Sequence, residues 1–191
     1  MRIDFSQHAT DVAKQLLGMK LVRTMPDGTR MSGIIVETEA YSGIDDLASH
    51  GRAKRTPRNL IMYGPPGHIY VYLIYGVYYM LNIVCESEEQ PAAILIRAME
   101  PLDGIEEMSK RRGGRSVLEL CNGPGKLAQA IDINMNLNGA ELGSEISIEN
   151  GVAVTSFDIG TSPRIGLSKH VYEPWFSKPW RFYIKDNIFV S

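Results

Sequence analysis

The segment Arg30–Tyr41 reads RMSGIIVETEAY, and its second half, IIVETEAY, decides the fold prediction. Its branched and aromatic residues are those enriched in β-strands. Side chains alternate between the two faces of a strand. One face is therefore predicted to carry Ile34, Val36, Thr38 and Ala40, and the other Ile35, Glu37, Glu39 and Tyr41.

The second predicted face places two carboxylates in one row with an aromatic ring. The strand rise puts Glu39 and Tyr41 roughly 7 Å apart. A base stacked on Tyr41 would have a carboxylate near its sugar, as a general base that delivers water requires. The spacing does not choose between Glu37 and Glu39. The alternative is a solvent-facing strand with ordinary glutamates, because acidic residues are mostly exposed.

The elements around this strand predict a single domain, residues 1–191, of mixed α/β type (α+β). Pro26-Asp27-Gly28 is typical of a turn, so Met19–Arg23 and Arg30–Tyr41 are predicted to form a hairpin. Further strands are predicted at 69–74, 78–84, 91–98 and 180–185, with a last hairpin formed by 144–149 and 152–156. Helices are predicted at 6–17, 101–112 and 123–131. A mostly antiparallel sheet with short helices is expected.

Composition narrows the class of protein. Of the 191 residues 44% are hydrophobic and 22% charged, as in a soluble globular protein. No apolar run approaches the ~18 residues of a membrane helix, and residues 1–17 do not resemble a signal peptide. The two cysteines, Cys85 and Cys121, predict neither a disulfide framework nor a zinc site, so a cytoplasmic protein is expected. The four histidines show no metal-binding spacing.

Five of the nine tyrosines fall within Tyr70–Tyr79. Tyr75 precedes Gly76, where the strand should turn, and a side chain at such a turn can act as a wedge between base steps. Tyrosine also stacks on any base. A tyrosine-rich core is the favoured interpretation for Tyr70, Tyr78 and Tyr79, whereas both interpretations stay open for Tyr72 and Tyr75.

Two other segments carry charge despite a net charge of −2. Residues 50–58, HGRAKRTPR, contain four Lys/Arg and no acid, which suits phosphate contacts but also describes a solvated loop. Gly123-Pro124-Gly125-Lys126 is either an anion site or a simple helix cap. It is not a Walker A loop, because Leu120 and Leu127 stand where glycine and Ser/Thr belong.

Six motifs in this order resemble the alkyladenine (3-methyladenine) DNA glycosylase family. They are VETEAY, the His50 loop, TPRN, YVYLIYGVYYMLN, ILIRAMEP and NGPGKLAQA, and the PRIG and WRFYI segments extend the match. The resemblance implies a curved, mostly antiparallel sheet and excludes a helix-hairpin-helix fold. Residues 136–162 match least and carry no implied role.

The resemblance also implies the site residues. Glu39 corresponds to the general base that activates water. Tyr41 and Tyr72 correspond to the walls around a flipped base, completed by His50 and, on the floor, by Asn82, which disfavours the amine of normal guanine. Tyr75 corresponds to the intercalating wedge. Contacts to the DNA backbone are implied for Thr56, Arg58, Arg97 and Lys126, and Met62 corresponds more weakly to an apolar residue beside the wedge.

The implied activity is that of a monofunctional DNA-3-methyladenine glycosylase in base excision repair. It would flip alkylated or deaminated purines from duplex DNA and hydrolyse the N-glycosidic bond, as a monomer without metal or organic cofactor, at the nucleoid and at no membrane. The preferred lesion stays open among 3-methyladenine, 7-methylguanine, hypoxanthine and ethenoadenine. The competing functions are a non-catalytic nucleic-acid binding domain and a hydrolase of free nucleosides.

Overall fold

The longest strand, β2 (Arg30–Tyr41), lies inside the sheet with neighbours on both edges. The computed structural model describes residues 3–52 and 54–191. Met1, Arg2 and Ala53 lie outside this description, and Ala53 belongs to the predicted basic loop 50–58. The predicted bounds of β2 are confirmed at both ends.

The other elements follow in chain order. The strands are β1 (Lys20–Thr24), β3 (Ile69–Ile74), β4 (Tyr78–Val84), β5 (Ala93–Asp103), β6 (Ile146–Glu149), β7 (Ile159–Ser162) and β8 (Arg181–Ile184). The α-helices are α1 (Ala9–Leu16), α2 (Ile105–Arg111), α3 (Val117–Leu120) and α4 (Pro124–Ala130). Short 3-10 turns include His50–Arg52 and Leu60–Tyr63, inside and after the predicted basic loop.

Every strand pairing is antiparallel, in the order β3-β4-β5-β2-β1-β6. β2 pairs with β1 through its first half and with β8 through Glu37–Glu39, and β7 pairs with β8. Because one strand serves two partners along the same edge, the sheet curls into a half-barrel. The prediction of a single α+β domain with a curved antiparallel sheet and short helices is confirmed.

A bulge in β2 corrects the predicted alternation of faces. The register with β5 shifts between Ile35 and Thr38. Ile35 and Ala40 belong to the main core, where the Thr38 hydroxyl donates to the Ala13 carbonyl of α1. Ile34 and Val36 instead pack with Ala98 and Phe189. A bulge places two residues opposite one, so the regular period of two is lost there.

The main core lies on one face of the sheet, under the helices. It combines α1 residues such as Leu16 with Ile83 of β4, Ile94 and Ile96 of β5, and Leu127 of α4. The opposite face carries two smaller apolar clusters, together with polar and aromatic side chains such as Asn82 and Tyr70. No helix within the described ranges is long and apolar enough to cross a membrane.

The predicted strand 91–98 and helix 101–112 are wrong in their boundary. β5 continues to Asp103, because Pro101 and Asp103 pair with Gly33 and Ser32 of β2. The helix begins at Ile105, after Gly104 in the left-handed region at φ 75°. Pro101 after the strand predicts a helix start, but pairing with the edge of β2 keeps residues 101–103 extended.

The predicted hairpin around Asn150-Gly151 is also wrong. β6 pairs with β1 instead, and the Val152 N–H donates to the Gly18 carbonyl. Residues 152–155 form no strand, whereas Ile159–Ser162, which was not predicted, pairs with β8. The edge of β1 supplied a better partner for β6 than the adjacent chain did.

Candidate active site

One row of side chains crosses the sheet on the face opposite the main core. Tyr70 of β3 is the register partner of Asn82, Asn82 of Leu95, Leu95 of Glu39, and Glu39 of Arg181. Five strands therefore contribute to one line perpendicular to the chain direction. Because strands lie ~4.8 Å apart, the row spans roughly 19 Å.

A cavity of about 550 Å³ opens over this face. Of the predicted site residues, it brings together Tyr41, His50, Arg58, Tyr72, Tyr75 and Asn82. Met62 and Tyr70 line it from below, and Gly166, Leu167 and Val171 close one side. Among the described residues that line it, none is an acid and none is a lysine. Within the same ranges no His, Cys, Asp or Glu group could hold a metal ion.

The aromatic side of the cavity is built from β3 and the His50 turn. The rings of His50 and Tyr72 meet edge to face with their centroids 4.6 Å apart. His50 Nδ1 lies 3.0 Å from the hydroxyl of Tyr70, whose ring is 5.4 Å from that of Tyr72. Such contacts fix the orientation of the rings. We call the part of the cavity bounded by Tyr41, His50 and Tyr72 the aromatic slot.

Burial keeps these groups neutral. It lowers the pKa of His50 to about 4, and the charge of Arg58 acts in the same direction. It raises the pKa of Tyr70 to about 12, although Arg58 opposes this. The pKa values of Tyr41 and Tyr72 also lie above their ordinary value, mainly because both rings are buried. At neutral pH the slot therefore offers uncharged rings.

Asn82 lies on the cavity floor and is almost fully buried. Its amide nitrogen donates to the carbonyl oxygens of Tyr70 at 3.1 Å and Met80 at 3.3 Å. Both donors are thus held by the backbone, and the amide oxygen is the polar atom left for a ligand. Its discrimination against guanine stays a prediction.

Glu39 does not line the cavity itself but is hydrogen-bonded to Tyr41, which does. Its Oε2 accepts from the Tyr41 hydroxyl at 2.7 Å, and its Oε1 accepts from the Ile165 N–H at 2.7 Å. Arg97 Nη1 lies 3.1 Å from Oε1. The Glu39 side chain is 0% exposed, which excludes the alternative of a solvent-facing strand with ordinary glutamates. Glu39 nevertheless sits beside Tyr41 and not under the main core.

Glu37 belongs to a charge cluster that sequence reasoning missed. Its Oε1 accepts from Arg97 Nε at 2.8 Å and Arg181 Nε at 2.6 Å, and its Oε2 accepts from the Ser191 N–H at 2.7 Å. Burial alone would raise the pKa of Glu37, but these partners hold it below its usual range. Glu37 is therefore an ionised anchor for Arg97, which bridges it to Glu39.

Tyr75 is 83% exposed at the tip of the β3–β4 hairpin and borders the cavity. It adopts φ 54°, followed by Gly76 at φ 69°. A non-glycine residue in the left-handed region is uncommon, and the strain is typical of functional turns. Leu73, Val77 and Tyr78 beside it are also exposed. The predicted turn is confirmed, and the wedge role stays a prediction.

The four predicted backbone contacts differ in their setting. Thr56 and Arg58 are exposed in the basic loop, with the Arg58 guanidinium 5.2 Å from the Tyr72 ring centroid. Lys126 Nζ donates to Asn122 Oδ1 at 2.9 Å, and the neighbouring Gly125 packs closely against the Tyr78 side chain. Arg97 is nearly buried between Glu37 and Glu39. Contact of any of them with DNA stays a prediction.

Asn59 holds the loop that carries Thr56 and Arg58 through hydrogen bonds. It was not singled out in the sequence analysis. Its Oδ1 accepts from the Thr56 N–H, and its Nδ2 donates to the carbonyl of His50 at 2.9 Å. Asn59 ends the TPRN motif, so the motif itself was the available signal. Asn59 connects the loop that carries Thr56 and Arg58 to the His50 turn of the pocket.

The family follows from comparison of this chain with known proteins. The family model described as Methylpurine-DNA glycosylase (MPG) matches residues 3–188. The chain belongs to this family. The resemblance inferred from the six sequence motifs is therefore confirmed.

Similar curated proteins share the name "Putative 3-methyladenine DNA glycosylase". One from Prosthecochloris aestuarii is 46% identical over 98% of this chain and 88% of the relative. One from Methanocella arvoryzae is 47% identical over 98% and 94%, and one from Bacillus cytotoxicus 43% over 95% and 93%. Membership of this family makes the chain a DNA glycosylase and DNA its substrate, which favours an enzyme over a binding module.

Proposed function

We propose that this glycosylase flips alkylated or deaminated purines out of duplex DNA and hydrolyses their N-glycosidic bond, as a monomer acting in base excision repair. The observation that carries the proposal is the hydrogen bond between Glu39 and Tyr41 at 2.7 Å. It joins a buried carboxylate to the wall of a preformed aromatic slot. A base held against Tyr41 would present its sugar near this carboxylate.

The proposed reaction needs one water molecule. A carboxylate offers about four lone-pair sites, and the contacts of Glu39 with Tyr41, Ile165 and Arg97 use three. The fourth lone-pair site would accept a proton from the water, while the oxygen of the water bonds to the anomeric carbon of the sugar. The carbon–nitrogen bond breaks, and its electron pair leaves with the purine. A cationic alkylated purine departs neutral, whereas an uncharged purine must also take up one proton, which balances the proton that Glu39 accepts from the water. The carboxylate also stabilises the positive charge that develops on the sugar.

Several features support flipping of a base from a duplex. Tyr75 is exposed at the tip of the β3–β4 hairpin beside the cavity, where it could fill the space that the extruded base leaves. Arg52 and Arg58 at the same mouth supply positive charge for phosphates. Unstacking costs a few kcal/mol and is cheapest for damaged bases, which favours lesions.

The proposal of a monofunctional enzyme depends on the nucleophile. A lysine amine would be needed for a Schiff base with the sugar and for strand cleavage. None of the described residues lining the cavity is a lysine. Water activated by Glu39 is therefore the proposed nucleophile, and an abasic site in an uncut strand is the proposed product.

The names of the relatives point to 3-methyladenine as one substrate. The neutral slot, with His50 at a pKa of about 4, also accepts uncharged purines such as hypoxanthine and ethenoadenine. Stacking on Tyr41 and Tyr72 does not require a charged base. Alkylated and deaminated purines are therefore both proposed as substrates.

The test is single-turnover release of free base from duplexes that each carry one lesion. Glu39→Gln should lower the rate roughly 10²–10⁴-fold, the share of a positioned acid or base. Binding to the lesion duplex should survive. Glu106→Gln, an exposed glutamate of α2, is the matched control and should excise like the parent chain. Equal rates for Glu39→Gln and Glu106→Gln would remove Glu39 from the mechanism.

A further inference from the structure

Arg164 and Asp46 form a fully buried ion pair that the proposed mechanism does not use. Both side chains are 0% exposed, and Arg164 donates to the two oxygens of Asp46 at 2.6 and 2.9 Å. The residues lie 118 positions apart in the chain. Their pairing therefore joins the segment after β7 to the loop after β2.

The guanidinium of Arg164 also contacts the end of β2. It donates to the Ala40 carbonyl at 3.0 Å and stacks with its carbon 4.7 Å from the Tyr41 ring centroid. It lies 5.2 Å from the Trp180 ring as well. Since Tyr41 is a wall of the slot and donates to Glu39, the position of Arg164 constrains both.

The next residue along the chain contacts Glu39 directly. The Ile165 N–H donates to Glu39 Oε1 at 2.7 Å. Gly166, Leu167 and Ser168, which follow it, line the cavity. Arg164 therefore anchors the backbone that supplies one of the hydrogen bonds to the proposed general base.

Asp46 forms further hydrogen bonds within the loop that follows Tyr41. Its Oδ1 accepts from the Ala48 N–H at 3.0 Å and its Oδ2 from the Ser42 N–H at 3.3 Å. These bonds shape the loop 42–49, which leads from Tyr41 to His50. Asp46, held by Arg164, thus contacts both ends of the loop that joins Tyr41 to His50.

Net stabilisation alone is a weak explanation for a buried ion pair. Desolvation of two charges offsets much of their attraction, so a buried ion pair is weak evidence of stabilisation. Its bidentate geometry, in contrast, fixes the relative orientation of the elements that it joins. The functional consequence is expected in the placement of Tyr41 and Ile165.

We propose that Arg164 and Asp46 are positioning residues, which hold the Tyr41 ring and the Ile165 amide in register with Glu39 for base excision. This rests on the proposed function of Glu39. A displacement of about 1 Å at a reacting centre can cost roughly 10²-fold in rate. The chemical step should therefore depend on this pair more than DNA binding does.

The experiment compares Arg164→Met, Arg164→Lys and the nearly isosteric Asp46→Asn in single-turnover excision. Each should lose roughly 10²-fold in rate, with lesion-duplex affinity changed less than about threefold. Lysine keeps the charge but cannot form the bidentate contact with Asp46, so Arg164→Lys should retain little more activity than Arg164→Met. Arg23→Met removes another buried arginine, whose partner Glu145 is partly exposed; it is the control and should keep the parental rate.

A double mutant separates positioning from general loss of structure. In a Glu39→Gln background, Arg164→Met or Asp46→Asn should cause little further loss, because both act through the same carboxylate. Additive losses, rescue by Arg164→Lys, or a parental rate for Asp46→Asn would each overturn the positioning role. A parental rate for Glu39→Gln would instead overturn the proposed function.

Discussion

Glu39 and Asn82 are both register partners of Leu95, one on each side of it. Two strand spacings of ~4.8 Å separate their backbones, which places the two side chains roughly 10 Å apart at their base. Backbone hydrogen bonds of three adjacent strands therefore set the distance between the pocket floor and the proposed general base. A site built on strands holds such distances better than one built on loops.

The hydroxyl of Tyr41 should matter separately from its ring. Tyr41→Phe keeps the stacking surface but removes the donor to Glu39 Oε2. A hydrogen bond to a charged group contributes about 1.5–3 kcal/mol, so we expect excision to slow roughly 10-fold or more. Single-turnover kinetics measure this. Tyr79→Phe, on the main-core side, is the control, and equal rates for the two variants would contradict the assignment.

Tyr75→Ala should impair flipping more than base preference, because Tyr75 stands exposed at the hairpin tip. The measurement is the fluorescence of 2-aminopurine placed next to the lesion, which rises when stacking is lost. We expect a smaller rise on binding for the variant. Phe157→Ala removes another highly exposed ring, one that does not line the cavity, and should behave like the parent chain. An undiminished signal from Tyr75→Ala would reject the wedge.

His50 should remain neutral across the physiological range. NMR titration should find its midpoint near pH 4, against an ordinary pKa of 6.5, with His50→Gln identifying the resonance. Arg58→Ala should raise the midpoint only in part, because burial is the larger cause. A midpoint near 6.5 in the folded chain would show that the slot is open to water.

The same shift predicts how stability depends on pH. Between pH 6.5 and about 4 the unfolded chain takes up a proton at His50 that the folded chain does not. His50 therefore leaves the free energy of unfolding unchanged above pH 6.5 and lowers it progressively as the pH falls from 6.5 towards 4. Denaturation measured at several pH values should therefore show that the free energy of unfolding of His50→Gln changes less over that interval than that of the parent chain.

Arg58→Ala should weaken binding to damaged and undamaged duplexes alike if Arg58 contacts a phosphate. The dependence of log affinity on log salt should become shallower by about 0.9, the value for one contact. Arg30→Ala, an exposed arginine paired with Glu149 outside the cavity, should leave the slope unchanged. A loss confined to lesion duplexes would assign Arg58 to the base slot beside Tyr72 instead.

The local pattern was sufficient to predict β2, β3 and β4 with their bounds, because turn residues and branched side chains mark them. It failed at β5, where Pro101–Asp103 is extended only because β2 offers an edge. It failed again at β6, whose partner is β1 and not the chain beside it. Pairing partners distant in sequence leave no local signal.

The amino-acid order alone placed a carboxylate two residues from an aromatic ring, and a tyrosine before the glycine of a hairpin. Folding decided that Glu37 and Glu39 are buried and which charges accompany them. Arg97, Arg181 and the Ile165 amide reach these carboxylates from 60, 144 and 126 positions away. Burial of a carboxylate demands such partners, and only the folded, curled sheet brings them together.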